Sequence, residues 1–216
     1  MELRRGCFPS RIITKRYFPP LPISTISTFT KFKRGVKSET ADPNEAEQAI
    51  EIGRAELRLK ELNDCSPESA LERFMRCCGS TKWAHRMVKA RPFARITELE
   101  DAADRLWATC SREDWLEAFS AHPVIGRQSQ NRWSQQEQSG VSTSPPEFRT
   151  AFADAHVRYE AKFGYIFIIC AAGKTGIELL TALTERLSHD PQTEIQVAAE
   201  QQRMITRLRL RKLLSE

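Results

Sequence analysis

Tyr165-Ile166-Phe167-Ile168-Ile169-Cys170 is the one run in this 216-residue chain that has the look of a β-strand. Periodicity cannot type it, because a short buried apolar run suits a strand and a buried helical segment equally. A strand must pair its backbone N–H and C=O groups with a neighbour, and no second convincing strand exists in the sequence. The run is therefore expected to be buried irregular chain leading into a helix, and the fold to be all-α.

Working outward, Pro145-Pro146 opens a helix that carries Phe148, Phe152, Tyr159 and Phe163, and Gly164 is a natural C-cap. Downstream, helices are expected over 173–188 and 191–214, divided at Asp190-Pro191. Upstream, Ser66-Pro67 is a start signal, an N-cap followed by proline at the first helical position. Leu71, Phe74 and Met75 then share a face, and Gly79 ends the run. A helix over 81–89 follows. Thr97-x-x-Glu100 has the form of a capping box, and behind it Leu99, Ala103, Leu106, Trp107 and Cys110 recur at helical spacing. A short helix over 114–119 delivers the chain to His122. The expectation is a single bundle of about seven helices with a loop-rich active edge.

Charge divides the chain. Of its 33 Lys/Arg and 28 Asp/Glu, residues 1–40 hold nine and two, a net of +7; the remaining 24 and 26 give −2. Pro19, Pro20 and Pro22 forbid a continuous helix in that stretch, and its composition is that of a transit peptide. A disordered basic tail without an address, or a misassigned gene start, stays open. The domain reading is thus 1–40 as disordered basic tail, 41–62 as linker or peripheral helix (helical over 45–62), and 63–214 as the helical domain. The near-neutral body gives no electrostatic case for nucleic acid. No run is long and apolar enough to span a membrane. The six cysteines form no C-x-x-C pair and no zinc spacing with histidine; they are expected to be small buried or half-buried thiols in a reducing compartment. Gly173-Lys174-Thr175 is not a phosphate loop, since that motif needs glycine at position 168, which is Ile.

The candidate site is His122-Pro123-Val124-Ile125-Gly126-Arg127 followed by Trp133-Ser134-Gln135-Gln136-Glu137-Gln138. Histidine is the side chain best suited to exchange protons near neutral pH. A lone histidine is more often structural, and Ser134-x-x-Glu137 also fits a capping box, so local pattern alone favours neither role. Arg207, Arg209 and Arg211 alternate and cannot share one helix face. Arg209, four residues after Ile205, is expected to turn inward, where its planar fork suits a carboxylate or an imide-like ligand.

Five motifs occur in order: His122 to Gly126, Trp133-Ser134-x-x-Glu137-Gln138, Tyr159-x-x-Lys162-Phe163-Gly164, Phe167 to Ala171, and Leu208-Arg209-Leu210-x-Lys212-Leu213. Cys77-Cys78-Gly79-Ser80-x-x-Trp83-Ala84 and Arg91-Pro92-Phe93 precede them. Over roughly residues 63–214 the set resembles the OHCU decarboxylase family (2-oxo-4-hydroxy-4-carboxy-5-ureidoimidazoline decarboxylase). The resemblance implies an all-helical fold and a decarboxylation without cofactor or metal, giving (S)-allantoin and carbon dioxide in urate breakdown. It implies that His122, Glu137 and Arg209 are catalytic, and that Pro123, Ser134, Gln138, Phe167 and Ile169 bind substrate. In that reading His122 contacts the ring hydroxyl and carboxyl end and handles a proton, while Glu137 holds His122 or substrate N–H groups. Ser134 and Gln138 bond the ureido and ring amides, and Arg209 holds an anionic or carbonyl oxygen. Main-chain groups of Phe167 and Ile169 line the pocket. The partner is a small molecule, with neither nucleic acid nor membrane; a homodimer is left open. The family's pathway favours the peroxisome, although the chain ends Leu214-Ser215-Glu216 and not in a peroxisomal tripeptide. Plant members are often fused to a transthyretin-like hydrolase domain, so this chain is expected to stand alone or be a shortened product. The rival classes are a non-catalytic helical interaction module that retains the fold, and a basic-tailed nucleic-acid binder.

Overall fold

The computed structural model describes residues 43–125, 133, 135 and 146–216. Among them are eight helices and no strand: α1 (Pro43–Asp64), α2 (Pro67–Cys77), α3 (Thr81–Ala90), α4 (Ile96–Ala108), α5 (Arg112–Ser120), α6 (Pro146–Phe163), α7 (Gly176–Arg186) and α8 (Pro191–Ser215). Seven are those expected from residue 63 onward. The eighth, α1, ends with Leu59 and Leu62 buried against the bundle. Residues 1–40 lie outside the described residues.

Local chemistry sets most boundaries. Ser66, Ser80, Ser111, Thr175 and Asp190 each cap a helix by accepting from main-chain N–H groups of its first turn, a bond worth about 1 kcal/mol. Ser111 with Asp114, and Thr175 with Glu178, complete reciprocal capping boxes. These two boxes explain why α5 starts two residues before, and α7 three residues after, the expected starts. Gly173, at φ +74, makes the turn ahead of α7.

The capping box expected at Thr97-x-x-Glu100 does not form. Helix α4 begins at Ile96, and Arg95 caps it with no side-chain bond. Glu98 instead accepts the N–H of Ala94 at 3.0 Å. Glu100 is buried and receives Arg207 and Arg211, each at 2.6 Å. A carboxylate paired with two guanidiniums gains more than one bonded to a single backbone N–H.

Helix α8 is the hub, with α1, α2, α4 and α5 packed on it. Its buried positions Ile195, Ala198, Ala199, Gln202, Ile205, Thr206, Arg209, Leu210 and Leu213 recur at three- and four-residue steps. Trp107 of α4 locks to it by donating Nε1–H to the carbonyl of Ala199 at 2.9 Å. Arg91 and Phe93, from the motif between α3 and α4, fasten the end of α1. The Arg91 guanidinium donates to the carbonyls of Leu62 and Cys65, and Phe93 exchanges two bonds with the Asn63 side chain.

Residues 165–170 are buried or half-buried chain without helix or strand, as the missing partner strand requires. Side chains satisfy backbone groups that a sheet would otherwise pair. Arg186 donates to the carbonyl of Ile168 at 2.7 Å, and the N–H of Cys170 donates to Gln201 Oε1 at 3.0 Å. Arg186 is itself held by buried Glu194, by a bond from Nε at 2.8 Å, and stacks over the Phe167 ring at 4.5 Å. Glu194 also takes the Tyr159 hydroxyl and His189 Nδ1. This network fixes the one irregular wall of the bundle. Upstream of the wall, Gly164 at φ +79 ends α6, the left-handed backbone that favours glycine.

Candidate active site

The wall formed by residues 167–172 faces α8 across a recess. His122, Pro123 and Ile125 close one side, and Ile205, Leu208 and Arg209 of α8 close the other. Five residues singled out from sequence meet here: His122, Pro123, Phe167, Ile169 and Arg209. Ser134, Glu137 and Gln138 lie outside the described residues. Of their motif, Trp133 is placed: its ring is buried beneath the Arg76 guanidinium at 4.5 Å, and its Nε1–H donates to Glu216 Oε1 at 2.7 Å.

His122 sits directly beyond α5, where its N–H still donates to the carbonyl of Phe119 at 3.1 Å. Two features hold it there. Phe119 is fully buried. Gly79, between α2 and α3, lies so close to Ala121 that a Cβ at position 79 would stand 2.3 Å from the Ala121 Cβ. Only glycine allows that approach, so the motif around Gly79 acts on the residue before His122.

The imidazole Nε2 lies 2.7 Å from Oε1 of Gln202 on α8. Gln202 was not anticipated from sequence. Its signal was present: it is a polar residue on the apolar face that runs Ile195, Ala198, Ala199, Ile205, and a buried amide must be paired. The same signal does identify Arg209, which is 5 % exposed.

Arg209 brings positive charge to a recess lined with Ile125, Phe167, Ile205 and Leu208. Apolar walls strengthen its attraction for an anionic oxygen. The thiols behind it are not nucleophiles at neutral pH. Burial pushes Cys77 well above the ordinary thiol range and Cys78 up to about 12, and the thiolate is the reactive form. Both match the buried cysteines expected from sequence. Among the described residues, no group of three His, Cys, Asp or Glu is placed to hold a metal ion, and no helix is long and apolar enough to cross a membrane. The recess brings together an imidazole able to exchange a proton, a guanidinium suited to an oxyanion, and the irregular chain of residues 167–172.

The model of the OHCU decarboxylase family matches residues 63–211. The chain is 40% identical over 148 residues to the uric acid degradation bifunctional protein TTL of Arabidopsis thaliana, covering 65% of this chain and 46% of that protein. It thus spans about half the length of that relative. It is 28% identical over 160 residues to the 2-oxo-4-hydroxy-4-carboxy-5-ureidoimidazoline decarboxylase of Haloferax volcanii, covering 72% of this chain and 95% of that protein. A crystal structure of an OHCU decarboxylase in the presence of (S)-allantoin superposes with a TM-score of 0.62 at 37% identity, covering 70% of this chain and all of that one.

Proposed function

The chain belongs to the OHCU decarboxylase family, and we propose that it removes carbon dioxide from 2-oxo-4-hydroxy-4-carboxy-5-ureidoimidazoline to give (S)-allantoin in urate breakdown. The observation that carries this reading is the meeting of His122 and Arg209 in one recess against residues 167–172.

The chemistry suits that small set of groups. The carboxylate leaves from a ring carbon beside a conjugated C=N. As the carbon–carboxylate bond breaks, its electron pair enters that C=N system, so the substrate serves as its own electron sink. Carbon dioxide departs and the nitrogen of the former C=N takes up a proton. The enol so formed gives up its hydroxyl proton and becomes the carbonyl of allantoin as the former C=N carbon takes up a proton on one face, a net uptake of one proton. The protein contributes orientation and proton handling. Arg209 holds a carboxylate or carbonyl oxygen with its planar fork. His122 contacts the hydroxyl and carboxyl end and carries the proton. Main-chain groups of Phe167 and Ile169, with Pro123, line the ring. In this reading Glu137 holds His122 or substrate N–H groups, and Ser134 and Gln138 bind the ureido and ring amides.

The test is stereochemical. The purified protein, added to urate oxidase and the upstream hydrolase, speeds the appearance of optically active allantoin followed by circular dichroism. Product formed only at the spontaneous rate, and racemic, returns the chain to the non-catalytic interaction module. For the compartment we propose the peroxisome, from the pathway the family serves; the transit-peptide composition of residues 1–40 is the competing signal. Fusing 1–40 to a fluorescent reporter decides between them.

A further inference from the structure

We infer that Gln202 is a positioning residue for His122, fixing Nε2 as the protonated nitrogen of the ring. The inference rests on the reading of His122 as the proton-handling group.

Thr206 donates its hydroxyl hydrogen to the main-chain carbonyl of Gln202 at 2.9 Å. A hydroxyl has one hydrogen, so toward the Gln202 side chain the Thr206 oxygen can only accept. It does so, from Gln202 Nε2 at 3.3 Å. The sulfur of Cys78, beside Thr206 and held as a neutral thiol by burial, is a weak acceptor and a poor rival to the Gln202 carbonyl. The amide nitrogen of Gln202 is thereby committed to Thr206, and its oxygen is turned to His122 Nε2 at 2.7 Å. An amide oxygen only accepts, so Nε2 must carry the hydrogen. The reverse orientation would place the amide oxygen against Thr206 and an N–H against the ring. It would cost the Thr206 back-bond and demand a bare Nε2.

Gln202 is fully buried and Thr206 nearly so, so water does not compete for these bonds, and a chain of satisfied buried bonds is stiff. A proton that the ring gains or loses in turnover is then carried on Nδ1, while Nε2–H stays with Gln202. The ring is also oriented relative to Arg209, which extends from the same helix.

The test pairs ring NMR with kinetics in Gln202→Met and Gln202→Glu. Methionine keeps the volume without the acceptor; glutamate keeps an acceptor and guards against a folding defect in the first variant. With ¹⁵N-histidine, and His122 assigned by loss of its signals in His122→Asn, wild type is expected to show a protonated Nε2 coupled to its carbon-bound hydrogens. Gln202→Met is expected to show the shift of a tautomer mixture, and Gln202→Glu to restore the protonated Nε2. In turnover, Gln202→Met is expected to lower kcat by roughly ten- to a hundredfold, the scale of a misplaced catalytic group, with KM nearly unchanged. A wild-type His122 with bare Nε2, or a Gln202→Met protein with unchanged ring signals and kcat, overturns the inference. The ring spectrum needs no substrate, so it separates this outcome from a failure of the decarboxylase reading, which would appear as absent turnover in wild type.

Discussion

Arg207 and Arg209 stand two positions apart on α8 and face opposite ways: Arg207 binds Glu100 and Asp104 of α4, while Arg209 lines the recess beside His122. Two steps of a helix turn a side chain by about 200°. The basic run near the chain's end is therefore two different devices, one for packing and one for the site.

The pair predicts a clean separation of effects. Arg209→Lys keeps the charge but loses the planar fork, and a charge-assisted hydrogen bond is worth about 1.5–3 kcal/mol, so turnover is expected to fall roughly ten- to a hundredfold with little change in melting. Arg207→Ala leaves the recess intact and removes the ion pairs of a third-exposed guanidinium with Glu100 and Asp104, with an expected stability cost of about 1–3 kcal/mol and near-normal kcat. Steady-state kinetics and thermal melts of both proteins check this. Matching effects from the two arginines would reject the division.

His122→Asn keeps a polar side chain of similar reach but cannot exchange a proton near neutral pH. A positioned general acid or base contributes about 10²–10⁴-fold, so a loss of on the order of a hundredfold or more is expected. Far-ultraviolet circular dichroism should stay unchanged, because His122 lies beyond the last turn of α5. Near-normal turnover would leave His122 a structural residue.

The sequence was most legible where a single local rule decides. Ser66-Pro67, Gly164 and the apolar spacing of Leu99 to Cys110 all mark real features of the fold. Reading residues 165–170 as non-strand also held, because a lone strand has no partner. The failures came where a local rule met a distant charge. Thr97-x-x-Glu100 has the form of a capping box, yet Glu100 answers to arginines 107 and 111 residues away. Gln202 stood out as a polar residue on an apolar face, but its partner did not, for the same reason: that partner is His122, 80 residues upstream. Arg209 could be placed because its inward turn follows from helical phase alone.

Glu100 supplies a pH dependence. Hydrogen bonds from Arg211 and then Arg207 hold its carboxyl below the ordinary value of 4.5. A depressed folded-state pKa adds stability that is complete above the unfolded value and is lost as pH falls through the folded one. Wild type minus Glu100→Gln should therefore differ by about 1–3 kcal/mol near neutrality, and the gap should close below about pH 4.5. Urea melts across pH 3–7 measure it. A gap that stays constant across that range would show that the charge of Glu100 contributes nothing.

Glu137 admits two readings, and they predict opposite pairs of measurements. As the third residue after a Ser134 cap, it would contribute about 1 kcal/mol to helix stability and nothing to turnover. As a site residue it would bind substrate N–H groups or the His122 ring, where its charge matters more than its shape. Glu137→Gln retains the length and an amide oxygen that still accepts, but removes the negative charge. The site reading predicts a loss of turnover of roughly tenfold or more, since hydrogen bonds to a charged group are worth about 1.5–3 kcal/mol, together with a small change in melting. It also predicts that Ser134→Ala, which removes the hydroxyl that bonds the ureido or ring amides, lowers turnover with little change in melting. The site reading therefore has both variants acting on kcat, and the helix-start reading has both acting on melting. If both shift melting by the same small amount and leave kcat alone, Ser134 and Glu137 are a helix start, and His122 and Arg209 carry the reaction without them.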